Sequence, residues 1–160
     1  TERDMGYWRD VGSMDSYYDA HMDLVSIHPV FNLYNFDWPI YTSYGPYPPA
    51  TFVHGHHGRF GEALNSAASP GVVISGARVN DSVSSPDVRV HSYTEIDASV
   101  ILDSVKVGRH CRIRKTIIDK SVTIPDGTSF GYDKDHDIAR GFSVTDSGIT
   151  VVGKGQVVTP

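Results

Sequence analysis

The sequence predicts a mainly β protein wound as a parallel β-helix, and three observations predict it. A 17-residue self-similarity aligns Val88–Ser104 above Val105–Ser121, aliphatic residues fall into recurrent files, and within each coil they sit six apart. The files are Val73, Val90, Val107 and Ile124; Val79, Ile96, Ile113 and Phe130; Val83, Val100 and Ile117; and Val88, Val105 and Val122. A fixed short period marks a solenoid, in which each coil buries its apolar side only against its neighbours. Seventeen residues is close to three hexapeptide edges of a triangle. Chance alternation in an ordinary β-sandwich is the alternative, and coincidence of the files counts against it.

Stacked coils stand roughly 4.8 Å apart, so equivalent side chains form ladders. The Val and Ile files are read as the inward ladders, each fully buried member contributing roughly 1.5–3 kcal/mol. Polar columns face outward: Arg78, Glu95 and Arg112 in one, Asn80, Asp97 and Arg114 in another. Three regular coils run from about Gly71 to Phe130, and a degraded one precedes them, where Asn65-Ser-Ala67 echoes Asp81-Ser-Val83. The ends of such a stack need caps. Two single substitutions test the register. Val107→Asp, buried without a partner, is expected to abolish folding, and Arg109→Asp to cost under about 1 kcal/mol.

The flanks follow in order. Residues 13–26 read as a helix, with Ser13 or Asp15 at its start and Met14, Tyr17, Tyr18, His21, Met22 and Val25 at helical spacing. Residues 28–46 are rich in aromatics and turn formers, with Trp38-Pro-Ile-Tyr41 read as a short strand. Gly45-Pro-Tyr-Pro-Pro-Ala50 is an extended connector, because proline favours extended backbone on either side of itself. A boundary there divides the chain into units 1–47, 48–131 and 132–160. In the last unit, Asp133–Arg140 reads as a short helix, and Phe142–Thr145 with Ile149–Val152 as a hairpin.

At 160 residues this is about one domain. A net charge of −5 argues against a general nucleic-acid or membrane-surface role, and one cysteine, Cys111, excludes an internal disulfide. No apolar run reaches membrane-span length and no secretory signal is present. The chain starts at Thr1 rather than Met, which points to residues missing upstream.

The segment Tyr7-Trp-Arg-Asp-Val-Gly-Ser-Met-Asp-Ser-Tyr-Tyr18 closely resembles a stretch late in the catalytic domain of the bacterial glucose-1-phosphate adenylyltransferase (ADP-glucose pyrophosphorylase) family. The resemblance continues through Asp23-Leu-Val-Ser26, Trp38-Pro-Ile40, Pro48-Pro-Ala-Thr-Phe-Val53, Val73-Ile-Ser-Gly76, Val107-Gly108, Ile117-Ile-Asp-Lys120 and Gly148-Ile149. It covers nearly the whole chain in order, and it departs at Ser13, where the family has Thr. The resemblance implies a left-handed β-helix preceded by the end, or remnant, of a Rossmann-like α/β nucleotidyltransferase domain. The implied reaction joins ATP and glucose 1-phosphate into ADP-glucose and pyrophosphate for glycogen synthesis. It also implies a cytoplasmic homotetramer controlled by phosphorylated allosteric effectors.

Carried over position by position, the resemblance makes Asp10 a Mg²⁺ ligand, which suits a hard carboxylate oxygen. The family's Gly-rich nucleotide loop, its first metal carboxylate and its sugar-phosphate lysine lie in sequence absent here. No catalytic set is complete, so the 160 residues alone are expected to be inactive and to hold no Mg²⁺. ADP-glucose formation by the purified fragment would refute this. Lys120 and Lys154 align with family arginines that hold effector phosphates, and Arg140 is a third candidate. Lys106, Arg109, Arg112, Arg114 and Lys115 form a run without an acid, read chiefly as solvated outer ladders. By the same resemblance, Met14, Tyr17 and Tyr18 are expected to pack on the missing domain.

Three rival readings share the scaffold. A stand-alone β-helix acyltransferase needs a His base, for which His91 and His110 are candidates; they stand 19 residues apart and so share no column. A zinc hydratase needs His ligands, and His54, His56 and His57 lie on the wrong side of the repeats; a flexible loop suits them better. A non-catalytic oligomerisation and sensing module has no use for Asp10.

Overall fold

The computed structural model describes residues 5–43 and 45–160, so the expectation drawn from Thr1 lies outside the described residues. The centre of the chain is a parallel β-helix with three faces, of the hexapeptide type and left-handed. The first face stacks Thr51–Val53, Val73–Ser75, Arg89–Val90, Lys106–Val107 and Thr123–Ile124. The second stacks Glu62–Leu64, Arg78–Asn80, Glu95–Asp97, Arg112–Arg114 and Ser129–Phe130. The third stacks Ala67–Ala68, Val83–Ser84, Val100–Ile101, Thr116–Ile118 and Thr150–Val152, with Ser143–Val144 added antiparallel at its edge.

Corners are made by residues in the left-handed backbone region, and they recur with the coil period. Gly76, Tyr93, His110 and Gly127 turn one corner, Asn65, Asp81, Ala98 and Lys115 the second, and Gly71, Asp87, Ser104 and Ser121 the third. Asn and Asp tolerate this region better than most side chains, while Tyr, Ala, Lys and Ser are held there by the ladders above and below. Behind the second corner runs a column of hydroxyls. Ser82 N donates to Ser66 Oγ, Ser99 N to Ser82 Oγ and Thr116 N to Ser99 Oγ at 3.0–3.3 Å. Each buried hydroxyl of Ser82, Ser99 and Thr116 in turn donates to a carbonyl two residues back, so none is left unpaired.

Two of the expected files hold as drawn, and a third holds as a column but not in its direction. Val79, Ile96, Ile113 and Phe130 point inward on the second face, and Val88, Val105 and Val122 line the interior. Val83, Val100 and Ile117 do form one column. The first file needs a correction at its first member, because Ile74, not Val73, pairs with Val90 and is the buried residue. The corner at Gly76 is one residue tighter than the one at Tyr93, and counting back across it shifts the register by one. The degraded coil is real: Ala67 pairs with Val83, and Asn65 turns its corner as Asp81 does. Thr51 pairs with Val73 across 22 residues but Glu62 with Arg78 across 16, so this coil carries six extra residues at its first corner. His54, His56 and His57 lie on that insertion.

The third column does not face the interior. Ile101, Ile118 and Val152 are the inward residues of the third face, whereas Val100 and Ile117 form a second, outer cluster with Tyr18 and Ile149. Helix α1 (Met14–Leu24) covers them, with Tyr17 and Met22 packed alongside. Its start is capped by Ser13, whose Oγ accepts from Ser16 N, and it ends two residues short of the expected span. Tyr17 and Tyr18 pack on the β-helix of this chain, a contact the sequence reading did not anticipate, because the outward Val and Ile column gives them an apolar surface. Met14 is half exposed. Residues 38–41 form no strand: Asn32 and Asn35 side chains accept from Tyr34 N and Asp37 N in local turns, and Pro39 has no N–H for a ladder.

Past the last coil, helix α2 (Lys134–Ala139) and the hairpin close the stack. Phe142 meets Phe130 edge-on at 4.9 Å. The buried Asp137 carboxylate accepts from Gly131 N, from Thr150 Oγ1 and from the Arg140 guanidinium at 2.6–2.8 Å. Gly131 has no alternative here: a Cβ would stand 1.7 Å from Arg114 O.

Candidate functional site

A groove of about 390 Å³ opens where the segment before α1 crosses the third face. Val11, Gly12, Ser13, Met14 and Tyr17 form one wall, and Leu102, Ile117, Asp119, Val151 and Gly153 the other. The upper wall is local chemistry. Asp10 Oδ1 accepts from Gly12 N at 3.0 Å, an Asx-type turn that delivers the chain to the Ser13 cap. A Cβ at Gly12 would stand 3.2 Å from that same oxygen, so a larger residue would crowd the turn. Asp10 is exposed, and its second oxygen takes no part in this bond. It can supply one ligand to a cation. Among the described residues no group of three His, Cys, Asp or Glu side chains stands close enough to hold a metal. The histidines of the inserted loop are thus not assembled for coordination.

The lower wall ends in a carboxylate that ties two of the expected effector residues together. Asp119 Oδ1 accepts from Lys120 N at 2.7 Å, and its Oδ2 accepts from Lys154 N at 3.2 Å. Residues 34 apart in sequence are thereby fixed side by side, one at a coil corner and one just past the last strand. Both lysines are exposed, and Lys120 Nζ lies 3.8 Å from Asp103 Oδ2. Exposure to water and the entropy of two mobile side chains make such a pair weak and easily exchanged for a stronger anion. Tyr17 closes this end, its hydroxyl pKa pushed up by burial, with Asp119 and Asp103 adding to the shift. Tyr18, beside it, donates to Ala98 O at 2.6 Å. Burial and then Asp97 and Asp19 push its pKa up to about 12, against a smaller opposing pull from Arg114.

Arg140 has a different set of partners from the two lysines. One of its nitrogens donates to Ser129 O at 2.5 Å and to Asp137 Oδ1 at 2.6 Å, and the guanidinium lies over Phe130 at 4.6 Å. Its side chain is 11% exposed and is occupied in holding the cap, which explains a cation at this position without an effector. His91 and His110 are exposed, and His110 stacks on Tyr93 at 4.9 Å rather than on an orienting acid. In the basic run, Arg112 lies over Tyr132 and Arg114 stands 3.7 Å from Asp97, as outer-ladder residues do. Sequence reasoning missed Asp119, Asp103 and Tyr17. Asp119 stood inside a recognised motif, but nothing in its spacing announced that its two oxygens would bridge Lys120 and Lys154.

Residues 48–152 match the family model described as "GlmU-like, C-terminal hexapeptide". The chain belongs to this family. It is also 54% identical over 158 residues to a glucose-1-phosphate adenylyltransferase of Parafrankia sp. (strain EAN1pec), covering 98% of this chain and 38% of that protein. The likeness to the enzyme of that name from Bifidobacterium adolescentis is 52%, over 99% of this chain and 38% of that protein. For Koribacter versatilis it is 57% over 146 residues, covering 91% and 35%. The chain thus spans about 38% of the length of the first two relatives and corresponds to their C-terminal hexapeptide portion. As a hexapeptide-family member it shares the β-helix, while the likeness to the adenylyltransferases extends beyond the matched repeats to Asp10, Gly12 and α1. No helix among the described residues is long and apolar enough to cross a membrane.

Proposed function

We propose that this chain is the regulatory and assembly portion of a nucleotidyltransferase that makes ADP-glucose and pyrophosphate from ATP and glucose 1-phosphate for glycogen synthesis. The observation that carries the reading is the likeness over 98% of the chain to a glucose-1-phosphate adenylyltransferase, the segment around Asp10 included. In the full-length protein Asp10 supplies one carboxylate to Mg²⁺, and a second comes from the remainder of the protein. Nucleotidyl transfer depends on positioning and charge neutralisation, and one carboxylate alone supports neither. The fragment is therefore inactive by itself. The full-length enzyme is a cytoplasmic homotetramer in this reading, with the β-helix as its assembly element.

Phosphorylated effectors bind at Lys120 and Lys154. Support comes from their exposure, their fixation by one carboxylate and the suitability of ammonium groups for phosphate. Arg140 is left out of this site because its side chain is 11% exposed and its guanidinium is bonded to Asp137 and Ser129 inside the cap. The test is Lys120→Ala and Lys154→Ala in the full-length protein, with activity measured against sugar phosphates and AMP. The expected result is a half-saturation for the effector raised about tenfold, an ordinary size for a lost coupling. Unchanged activation and inhibition would remove these residues from the site. Absence of ADP-glucose formation by the unmodified full-length protein would remove the whole reading.

A further inference from the structure

Helix α1 is fastened to the β-helix by apolar packing, by the Tyr18 hydroxyl on Ala98 O and, at its first turn, by a carboxylate. At its first turn the Asp15 carboxylate accepts from Thr145 Oγ1 at 3.2 Å and from Ser147 Oγ through the same oxygen. Both hydroxyls sit on the turn of the C-terminal hairpin. The turn is itself organised: Thr145 Oγ1 accepts from Ile149 N at 3.2 Å, and Ser147 O accepts from Lys115 Nζ at 2.5 Å. Asp15 lies five residues from Asp10, with the Ser13 cap and the Asp10–Gly12 turn between them. The second strand of the same hairpin, Thr150–Val152, runs straight into Gly153 and Lys154.

We infer that Asp15, held by Thr145 and Ser147, is a positioning residue that fixes the Asp10 segment on the C-terminal hairpin and couples Lys154 to it. The inference rests on the reading of Asp10 as a metal ligand and of Lys154 as an effector residue. Its physical content is a single rigid element with two contacts. The hairpin touches the effector pair at the end of its second strand and the first turn of α1 at its turn. A displacement at Lys154 reaches the Asp10 turn through main chain and three side chains. The apolar packing of Tyr17, Tyr18 and Met22 holds the helix as a body but is less directional at its first turn. A charge-assisted hydrogen bond aims that turn, because it is directional and strong. Proximity is not coupling, so the claim requires a double-mutant cycle.

The experiment uses the full-length protein. ADP-glucose formation is titrated with Mg²⁺ at saturating ATP and glucose 1-phosphate, with and without a sugar-phosphate effector, for Asp15→Ala, Thr145→Val with Ser147→Ala, and all three together. The expected result is a Mg²⁺ half-saturation raised about five- to tenfold by either change, no further rise when they are combined, and a diminished effector response in each. Asp15→Glu restores part of the loss. Melting temperatures report whether any variant has lost its fold, Asp15→Asn then serving as the milder replacement, and hydrogen exchange without Mg²⁺ gives a second readout: amides of 12–17 lose protection in Asp15→Ala, and unchanged protection overturns the inference. Unchanged Mg²⁺ half-saturation, or effects that add in full, overturns the inference. Failure of the underlying reading looks different: Asp10→Ala leaves the Mg²⁺ dependence of the unmodified background intact.

Discussion

The second and third faces of the β-helix are built from the same kind of strand, yet one is bare and the other is an interface. On the second face the inward residues Val79, Ile96, Ile113 and Phe130 alternate with Arg78, Glu95 and Arg112, and the outer surface is a column of alternating charge. Glu62 extends that column, its carboxylate 2.5 Å from Arg78. On the third face, Val100-Ile101 and Ile117-Ile118 place an aliphatic side chain on both sides. One member of each doublet enters the core, and the other is buried by α1. The difference teaches that the coil period decides where the strands lie, while the residue next to the inward one decides whether a face meets water or another element. Strands buried on both sides read as unbroken apolar runs and not as alternation.

Substitutions break this comparison in a graded way. The largest effect is expected from Val107→Asp, an inward residue with no exposure and no partner for a charge. The expected outcome is loss of the cooperative unfolding transition by circular dichroism. Ile117→Asp on the third face is expected to cost about 2–4 kcal/mol, in the range of lost core packing, but to release α1 while leaving the coils folded. Hydrogen exchange checks it: amides of 14–24 lose protection and those of 96–113 keep it. Equal loss in both would mean that α1 and the coils form one cooperative unit.

A smaller effect is expected from pH. Tyr18 ionises at about 10 when unfolded and at about 12 when folded, so between those values the folded chain holds a proton that the unfolded chain has lost. Its contribution is complete below the lower value and falls away as pH rises through the window. Tyr18→Phe should flatten the decline in stability across this window, as read by denaturant midpoint at successive pH values. The smallest effect belongs to the second face. Arg78→Ala removes an exposed ion pair and is expected to change stability by under about 1 kcal/mol. A loss as large as that of Ile117→Asp would show that the charged face is also covered in solution.

Much of this architecture is legible in the residues, and the failures share a cause. The period, three of the four files, the broken first coil, both helices and the hairpin follow from spacing and turn chemistry. The direction of the Val83, Val100 and Ile117 column does not, because a β-branched residue favours a strand without saying which side it occupies. The doublets Val100-Ile101 and Ile117-Ile118 carried the missing signal, since neither neighbour is polar. Arg140 shows the same ambiguity for charge. The resemblance offers Arg140 as an effector residue, and the fold adds that Asp137, three residues before it in the same helical turn, is bonded to it. The pairing of Lys120 with Lys154 needed the fold itself, because Asp119 joins segments separated by a full excursion of the chain.

The insertion at the first coil has a practical consequence. Six additional residues between Val53 and Glu62 leave Thr51 in register with Val73 and Glu62 in register with Arg78. Lengthening a flexible connection costs little, with each doubling adding only about 0.6 kcal/mol. That corner is therefore a grafting port. An epitope, a fluorophore-binding peptide or a surface tether can be written into the exposed residues 56–58 without disturbing a ladder, so that assembly and ligand response can be followed on a chain whose coils are untouched.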